Sequence, residues 1–135
     1  NQKSSDEPKH IEGEFRPAFE LGISPLIIAI DFFQLTAEYV FSPSIGLEGG
    51  FIVLREQSGL IINGKYYLTP KYGGDKFYTG LFTGVDNKLV LIGGFLIGYK
   101  VLAENGIYFD GHLGLGRTSD GNPGGTVKLA IGYRF

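Results

Sequence analysis

The segment Thr126-Val-Lys-Leu-Ala-Ile-Gly-Tyr-Arg-Phe135, which ends the chain, alternates apolar residues with polar or small ones without a break. Successive side chains of a β-strand point to opposite faces, so this spacing predicts a strand with two different faces. One face carries two cations, Lys128 and Arg134. The other face is apolar and consists of Val127, Leu129, Ile131, Tyr133 and Phe135. The segment therefore predicts a β protein whose sheet has one apolar face.

The composition also favours strands. The 135 residues include 22 Gly, 8 Tyr and 11 Phe, and a glycine costs a helix interior about 1 kcal/mol relative to alanine. A formal net charge of −2 provides no positive field for nucleic acid, so we expect no nucleic-acid partner. Because the chain has no Cys, it has neither disulfides nor thiolate metal sites, and we expect no metal and no cofactor. No apolar run reaches the roughly 20 residues of a membrane helix.

Alternating segments bounded by turn residues recur along the whole chain. They predict eight strands, near residues 15–24, 33–41, 45–55, 59–69, 76–85, 88–102, 106–118 and 125–135. The connections are short, and Asn105-Gly106 is a strong hairpin signal. We predict an all-β, eight-stranded antiparallel up-and-down transmembrane β-barrel over residues 15–135, after a flexible leader at residues 1–14. Between Pro25 and Phe41, where glycine is absent, a short helix or an irregular crossing stays open.

The charged residues of these strands share one face, and their direction separates two kinds of barrel. A soluble lipocalin-like barrel would turn its apolar face inward, whereas a membrane barrel turns it outward to lipid. Small residues such as Gly98 and Gly132 accompany the charges, which suits a narrow interior. We predict a plugged lumen filled by an ion-pair network. Its members are Arg16, Glu20, Glu38, Glu48, Lys65, Lys100, Asp110, His112, Lys128 and Arg134.

Hairpin geometry predicts how some of these charges pair. A turn centred on Pro43 sets Glu38 opposite Glu48, and the next turn sets Glu48 beside Lys65. These three residues are expected to form one cluster. The last turn brings Asp110 across from Arg134 or its neighbour, which predicts a second cluster.

Aromatic residues gather at the end of the predicted barrel where the chain begins and ends. Trp and Tyr are enriched where membrane proteins cross the interface between lipid and water. We therefore predict an interfacial aromatic girdle at this end, made of Phe19, Tyr39, Phe41, Tyr66, Tyr99 and Phe109.

His112 is the histidine that lies inside a predicted strand, and Asp110 shares its face two residues away. Such a pair could serve acid–base chemistry. However, Gly114 stands where a nearby serine nucleophile would be expected, and the alternation turns His112 inward. We therefore interpret it as a structural lumen residue and predict no catalytic residues.

The terminal Ala130-Ile-Gly-Tyr-Arg-Phe135, together with the eight alternating segments, resembles the small eight-stranded outer-membrane barrels of Gram-negative bacteria. That group includes the membrane domains of outer-membrane proteins A and X, and the glycine-rich style is similar to small barrels of Bacteroidetes. The resemblance implies a bacterial outer-membrane location with both termini in the periplasm. It also implies that the barrel insertion machinery reads Leu129, Ile131, Tyr133 and Phe135 as an insertion signal.

By the same resemblance, the expected function is that of a non-enzymatic, porin-like barrel acting as a structural or accessory subunit. Its expected partners are outer-membrane lipids, the insertion machinery and a larger outer-membrane protein complex. Two alternatives stay open: an enzyme that modifies lipid A or phospholipid, and a soluble lipocalin-like barrel that binds a ligand.

Overall fold

The computed structural model describes residues 15–24 and 32–135. The predicted leader at residues 1–14 lies outside the described residues, as do residues 25–31 of the stretch that the sequence left open; residues 32–40 of that stretch form a strand. Eight strands are present: β1 Ala18–Ile23, β2 Phe32–Val40, β3 Ile45–Leu54, β4 Gln57–Tyr67, β5 Lys76–Asp86, β6 Leu91–Leu102, β7 Ile107–Thr118 and β8 Pro123–Arg134. Within these residues, no helix has the length and apolarity needed to cross a bilayer.

The strands pair in chain order, each antiparallel to the next, and β1 closes the barrel on β8. The predicted eight-stranded antiparallel meander is confirmed. Starting from Glu20 on β1 and moving from each residue to its partner on the next strand, the path arrives at Gly124 on β8. The direct pairing of β1 with β8, however, sets Glu20 opposite Arg134. The circuit therefore closes with an offset of ten residues. Such an offset tilts the strands by about 35–45° to the barrel axis and brings together residues that no single hairpin pairs.

Local chemistry explains where the strands end. Arg55 turns the chain between β3 and β4 with φ 58°, so β4 begins two residues earlier than predicted. The Asp86 carboxylate accepts hydrogen bonds from the backbone N–H groups of Lys88 and Val90, each at 2.9 Å, and this turn delays the start of β6 to Leu91. Gly106, at φ 99°, forms the predicted hairpin turn.

The two ends of the barrel are named by the chain termini. We call the end that holds the chain termini the termini end and the opposite one the far end.

The outward face of the barrel is apolar on every strand. Among the described residues, twenty-nine large hydrophobic side chains are exposed, including Leu81, Phe95, Leu113 and Leu115, each at least 63% accessible. We call this surface the outer wall. The faces are thus oriented as a membrane barrel requires and opposite to the lipocalin-like alternative.

The interior is divided into two zones. The half towards the termini end holds the buried charges. The half towards the far end is mainly apolar and contains Ile52, Ile61, Phe82, Ile92 and Leu96. Gln34, the cross-strand partner of Ile52, is also buried there. This division places the polar chemistry of the protein in one half of the lumen.

Candidate functional site

Eight charged side chains from seven strands form one network inside the barrel. Their side chains are 0–2% exposed, except for Arg134 at 12%. The anions are Glu20, Glu38, Glu48 and Asp110, and the cations are Lys65, Lys100, Lys128 and Arg134. Four negative and four positive charges make the network neutral, which limits the cost of removing these groups from water.

Lys65 lies at the centre of the network. Its Nζ is 2.8 Å from Glu38 Oε1, 3.3 Å from Glu48 Oε1 and 3.0 Å from Asp110 Oδ2. It also lies 4.5 Å from the centroid of the Tyr78 ring. The three carboxylates offer oxygen atoms within 4.8 Å of one another, an arrangement that could hold a metal ion. The Lys65 ammonium already occupies the position of that cation.

The remaining cations connect the carboxylates into a continuous chain. Lys100 Nζ is 2.5 Å from Glu20 Oε1 and 3.1 Å from Glu38 Oε1. Lys128 Nζ contacts Glu48 Oε2 and lies 2.8 Å from Asp110 Oδ2. Every cation except Arg134 therefore bridges at least two anions, so removing any of the three lysines affects at least two carboxylates.

Neutral side chains satisfy most of the other carboxylate oxygens. Tyr67 Oη donates to Glu38 Oε2 at 2.5 Å, and Tyr78 Oη donates to Asp110 Oδ1 at 2.6 Å. Asn63 Nδ2 donates to Glu48 Oε1 at 2.8 Å. Complete hydrogen bonding of this kind allows a buried ion pair to be tolerated. The tyrosines were not predicted as members of the network; the sequence of β5 does not indicate which of its faces is inward, so Tyr78 was left unassigned.

The structure corrects two predictions about the network. Arg16 precedes β1 and is exposed, so it lies outside the network. Arg134 does not pair with Asp110, because the β7–β8 register sets Asp110 against Ala130. Instead, Arg134 Nε is 2.7 Å from Glu20 Oε2 across the closing seam. Asp110 joins Lys65 and Lys128, so the two expected clusters are one network.

The predicted register around Glu38 agrees with the structure. Glu38 pairs directly with Glu48, and Lys65 lies on the neighbouring strand, where it contacts both. Adjacent carboxylates on neighbouring strands would repel each other in isolation. The ammonium between them removes that repulsion.

His112 lies beside the network and contacts it through one tyrosine. Its Nδ1 is 3.0 Å from Tyr78 Oη, and the side chain is 4% exposed. Nε2 has no hydrogen-bond partner among the described residues. The imidazole therefore points into the lumen and away from the outer wall.

A loop closes the termini end of the lumen. Residues 68–75 connect β4 to β5, and we call them the β4–β5 loop. The Asp75 carboxylate accepts three backbone N–H groups, those of Lys71, Tyr72 and Gly73, each at 3.0 Å. Arg134 Nη2 donates to Gly74 O at 3.2 Å. Arg134 thus connects the charged network to the β4–β5 loop.

All six residues of the predicted aromatic girdle lie on the outer wall near the termini end. Their exposed fractions range from 42% for Phe19 to 58% for Phe109; the others are Tyr39, Phe41, Tyr66 and Tyr99. Leu129, Tyr133 and Phe135 are also exposed, and Ile131 is half-buried on the same face. The Phe19 and Phe135 rings stack with centroids 6.3 Å apart, which joins the two ends of the barrel sequence.

Comparisons of the chain with protein families, with curated proteins and with solved structures find no match. The resemblance to the small outer-membrane barrels stays a prediction.

Proposed function

We propose that this protein is an integral outer-membrane β-barrel of a Gram-negative bacterium, with a plugged lumen and a structural or accessory role. One observation carries the proposal: the outer wall is apolar around the whole barrel, while the charged network is buried and neutral inside it. An apolar surface of this extent is far larger than monomeric soluble proteins expose. Lipid is the environment in which such a wall is favourable.

The dimensions support the same proposal. Strands β3 to β8 have 10 to 12 residues. At ~3.3 Å per residue and a tilt near 45°, they rise about 23 to 28 Å, close to the ~25 Å apolar band of outer-membrane barrels.

Two threonines show how the outer wall avoids unsatisfied hydroxyl groups. Thr79 and Thr83 point outward from β5 among large apolar side chains. Their hydroxyls donate to the backbone oxygens of Leu96 at 3.0 Å and Ile92 at 3.1 Å. A hydroxyl that faces hydrocarbon without a partner would cost free energy. These internal hydrogen bonds make both positions compatible with lipid.

The filled lumen supports a role other than conduction. An ion crossing the barrel would have to displace a neutral network that leaves no net charge to attract it. The apolar zone at the far end would present a second barrier. We therefore infer a non-conducting barrel that acts on its surroundings through its surface.

In an accessory role, the protein would contact a larger outer-membrane complex through its outer wall. Gly49 and Gly64 lie on this wall, and a Cβ built at either position meets no atom within 4 Å. Such flat positions let another wall approach closely. By the resemblance stated above, both termini would lie in the periplasm.

An enzyme that modifies lipid is less well supported. His112 is buried, and its one polar contact is to Tyr78. A lipid outside the barrel could contact the His112 imidazole only through an opening in the barrel wall. We therefore propose a non-enzymatic protein.

The membrane assignment is tested by two leucine-to-arginine substitutions. Leu81 is the middle residue of β5 and 63% exposed, whereas Leu89 lies in the β5–β6 turn and is 80% exposed. Arginine costs ~2–4 kcal/mol at the midplane of a membrane barrel and ~0–1 near the interface. Leu81→Arg should therefore greatly reduce the amount of folded protein in outer-membrane fractions, while Leu89→Arg should resemble the wild type. Recovery of the wild type from the aqueous fraction without detergent would contradict the proposal.

The accessory role and the plugged lumen need separate measurements. Purification from native membranes in mild detergent should yield a stoichiometric protein partner, and repeated recovery as a lone monomer would count against that role. In planar bilayers the purified barrel should produce no conductance steps; discrete steps would refute the plugged lumen.

A further inference from the structure

The apolar zone contains a cavity of about 280 Å³ that opens at the far end of the barrel. We call this cavity the apolar cup. Ile52, Ile61 and Ile92 line it from inside the barrel, and Leu60 and Val85 line it at the rim. Its volume is close to the ~300 Å³ at which small-molecule sites begin.

The cup is unfilled because the lining has glycine at positions where no side chain can be placed. A Cβ at Gly59 would lie 2.9 Å from the backbone oxygen of Val85, and one at Gly84 would lie 2.8 Å from that of Leu60. These approaches are too close for any larger residue. The space above Ile61 is thus a consequence of the close pairing of β4 and β5.

The cup is suited to hydrocarbon. Phe82 and Leu96, 4% and 1% exposed, belong to the apolar zone that separates it from the charged network. The one charged residue in the lining is Asp86, whose Oδ1 already accepts two backbone N–H groups of its own turn. Apolar cavities hold water poorly and accept apolar ligands.

The lining continues onto the outer wall. Leu60 and Val85 pair across β4 and β5, and Leu60 is 58% exposed. Both residues also line the cup. A hydrocarbon chain beside the barrel can therefore reach the cup over this rim, past the end of the β4–β5 pair at Ser58 and Asn87. The charged residues of the adjoining turns are Arg55, Glu56 and Lys88.

We propose that the apolar cup binds one acyl chain of a neighbouring membrane phospholipid, which bends inward over the rim between β4 and β5. The inference rests on the proposed function, because it requires that the outer wall contact membrane lipid. The ligand class is a single saturated or unsaturated hydrocarbon chain, recognised by shape and apolarity.

The test uses the full chain in phospholipid nanodiscs. The protein is deuterated except at its isoleucine methyl groups, and nuclear Overhauser effects from lipid acyl protons are measured. Ile62 and Ile97 on the outer wall, 53% and 55% exposed, report contact with the bilayer. Ile52 and Ile61 report occupation of the cup. Because the effect is short-ranged, a lipid outside the barrel contributes little to the cup signals.

Two phenylalanine variants on β8 complete the design. Thr126→Phe adds bulk to the cup, because Thr126 lines it. Val127→Phe adds an aromatic ring at the next residue, on the outer wall, where Val127 is 51% exposed. We expect lipid effects at both cup methyl groups in the wild type. We expect at least a twofold loss of them in Thr126→Phe and no loss in Val127→Phe.

The outcomes separate the two proposals. Absence of lipid effects at Ile62 and Ile97 would contradict the membrane assignment. Lipid effects at these outer methyl groups, with water effects at Ile52 and Ile61, would overturn the acyl-chain site alone. Cup signals that persist when the phospholipid chains are deuterated would come from a co-purified free amphiphile, and would overturn the assignment to membrane phospholipid.

Discussion

Replacing Lys65 by methionine would remove the cation on which the lumen network is centred. Methionine keeps most of the length of the side chain but none of its charge or hydrogen bonds. Three carboxylates, those of Glu38, Glu48 and Asp110, would then lie within 4.8 Å of one another without their common partner. The lumen would also change from neutral to a net charge of −1, because four anions would face three cations.

The expected loss of stability is large. Breaking a buried ion pair by removing one partner costs about 3 to 5 kcal/mol, because the other charge stays buried. The free energy of unfolding of a typical domain is about 5 to 15 kcal/mol, so Lys65→Met should remove about a fifth of it or more. Arg16→Met is the matched control: it removes an exposed cation that lies outside the network and should change stability by less than about 0.5 kcal/mol.

The assay is urea unfolding of the barrel in lipid vesicles. Because the chain has no Trp, loss of β-structure is followed by far-ultraviolet circular dichroism. A double variant, Lys65→Met with Asp110→Asn, restores equal numbers of charges, three of each sign, and should recover at least half of the loss. Equal stability of Lys65→Met and Arg16→Met would refute the reasoning, as would a double variant less stable than the single one.

Three further predictions concern single contacts. Tyr78→Phe removes a buried hydroxyl that donates to a carboxylate, so it should cost about 1 to 3 kcal/mol in the same unfolding assay, while Tyr99→Phe on the outer wall should be neutral. Arg134→Gln removes a donor to the β4–β5 loop, so amide hydrogen exchange there should accelerate; unchanged exchange would show that the loop is held without it. Gly106→Ala places a side chain at φ 99° and should destabilise the barrel by about 1 to 2 kcal/mol, whereas Gly49→Ala, with open space around its Cβ, should not.

Much of the network could be predicted from sequence because alternation is a local property. Placement of Glu38, Glu48 and Lys65 on one face of the sheet follows from period-two spacing, and their mutual proximity follows from two adjacent short turns. The expected partner of Arg134 was wrong for a different reason. Its contact with Glu20 crosses the seam between the first and last strands, and no turn specifies that register.

The tyrosines and the apolar cup show a second limit of sequence reasoning. Tyr78 follows Phe77 on a strand whose sequence does not show which face is inward, so the pattern does not indicate that its hydroxyl reaches Asp110. The cup depends on the close approach of β4 and β5 at Gly59 and Gly84. Backbone distances of this kind arise only after the barrel has closed.

The sequence by itself determined that the chain forms eight strands, each with one apolar and one polar or small face, because side-chain direction along a strand depends only on residue spacing. The tertiary structure decided which face is outside and which charges meet. The ten-residue offset at closure tilts every strand and stacks residues from non-adjacent strands, so Lys65 of β4 reaches Asp110 of β7. That offset is a property of the closed barrel as a whole, and no segment of the chain encodes it alone.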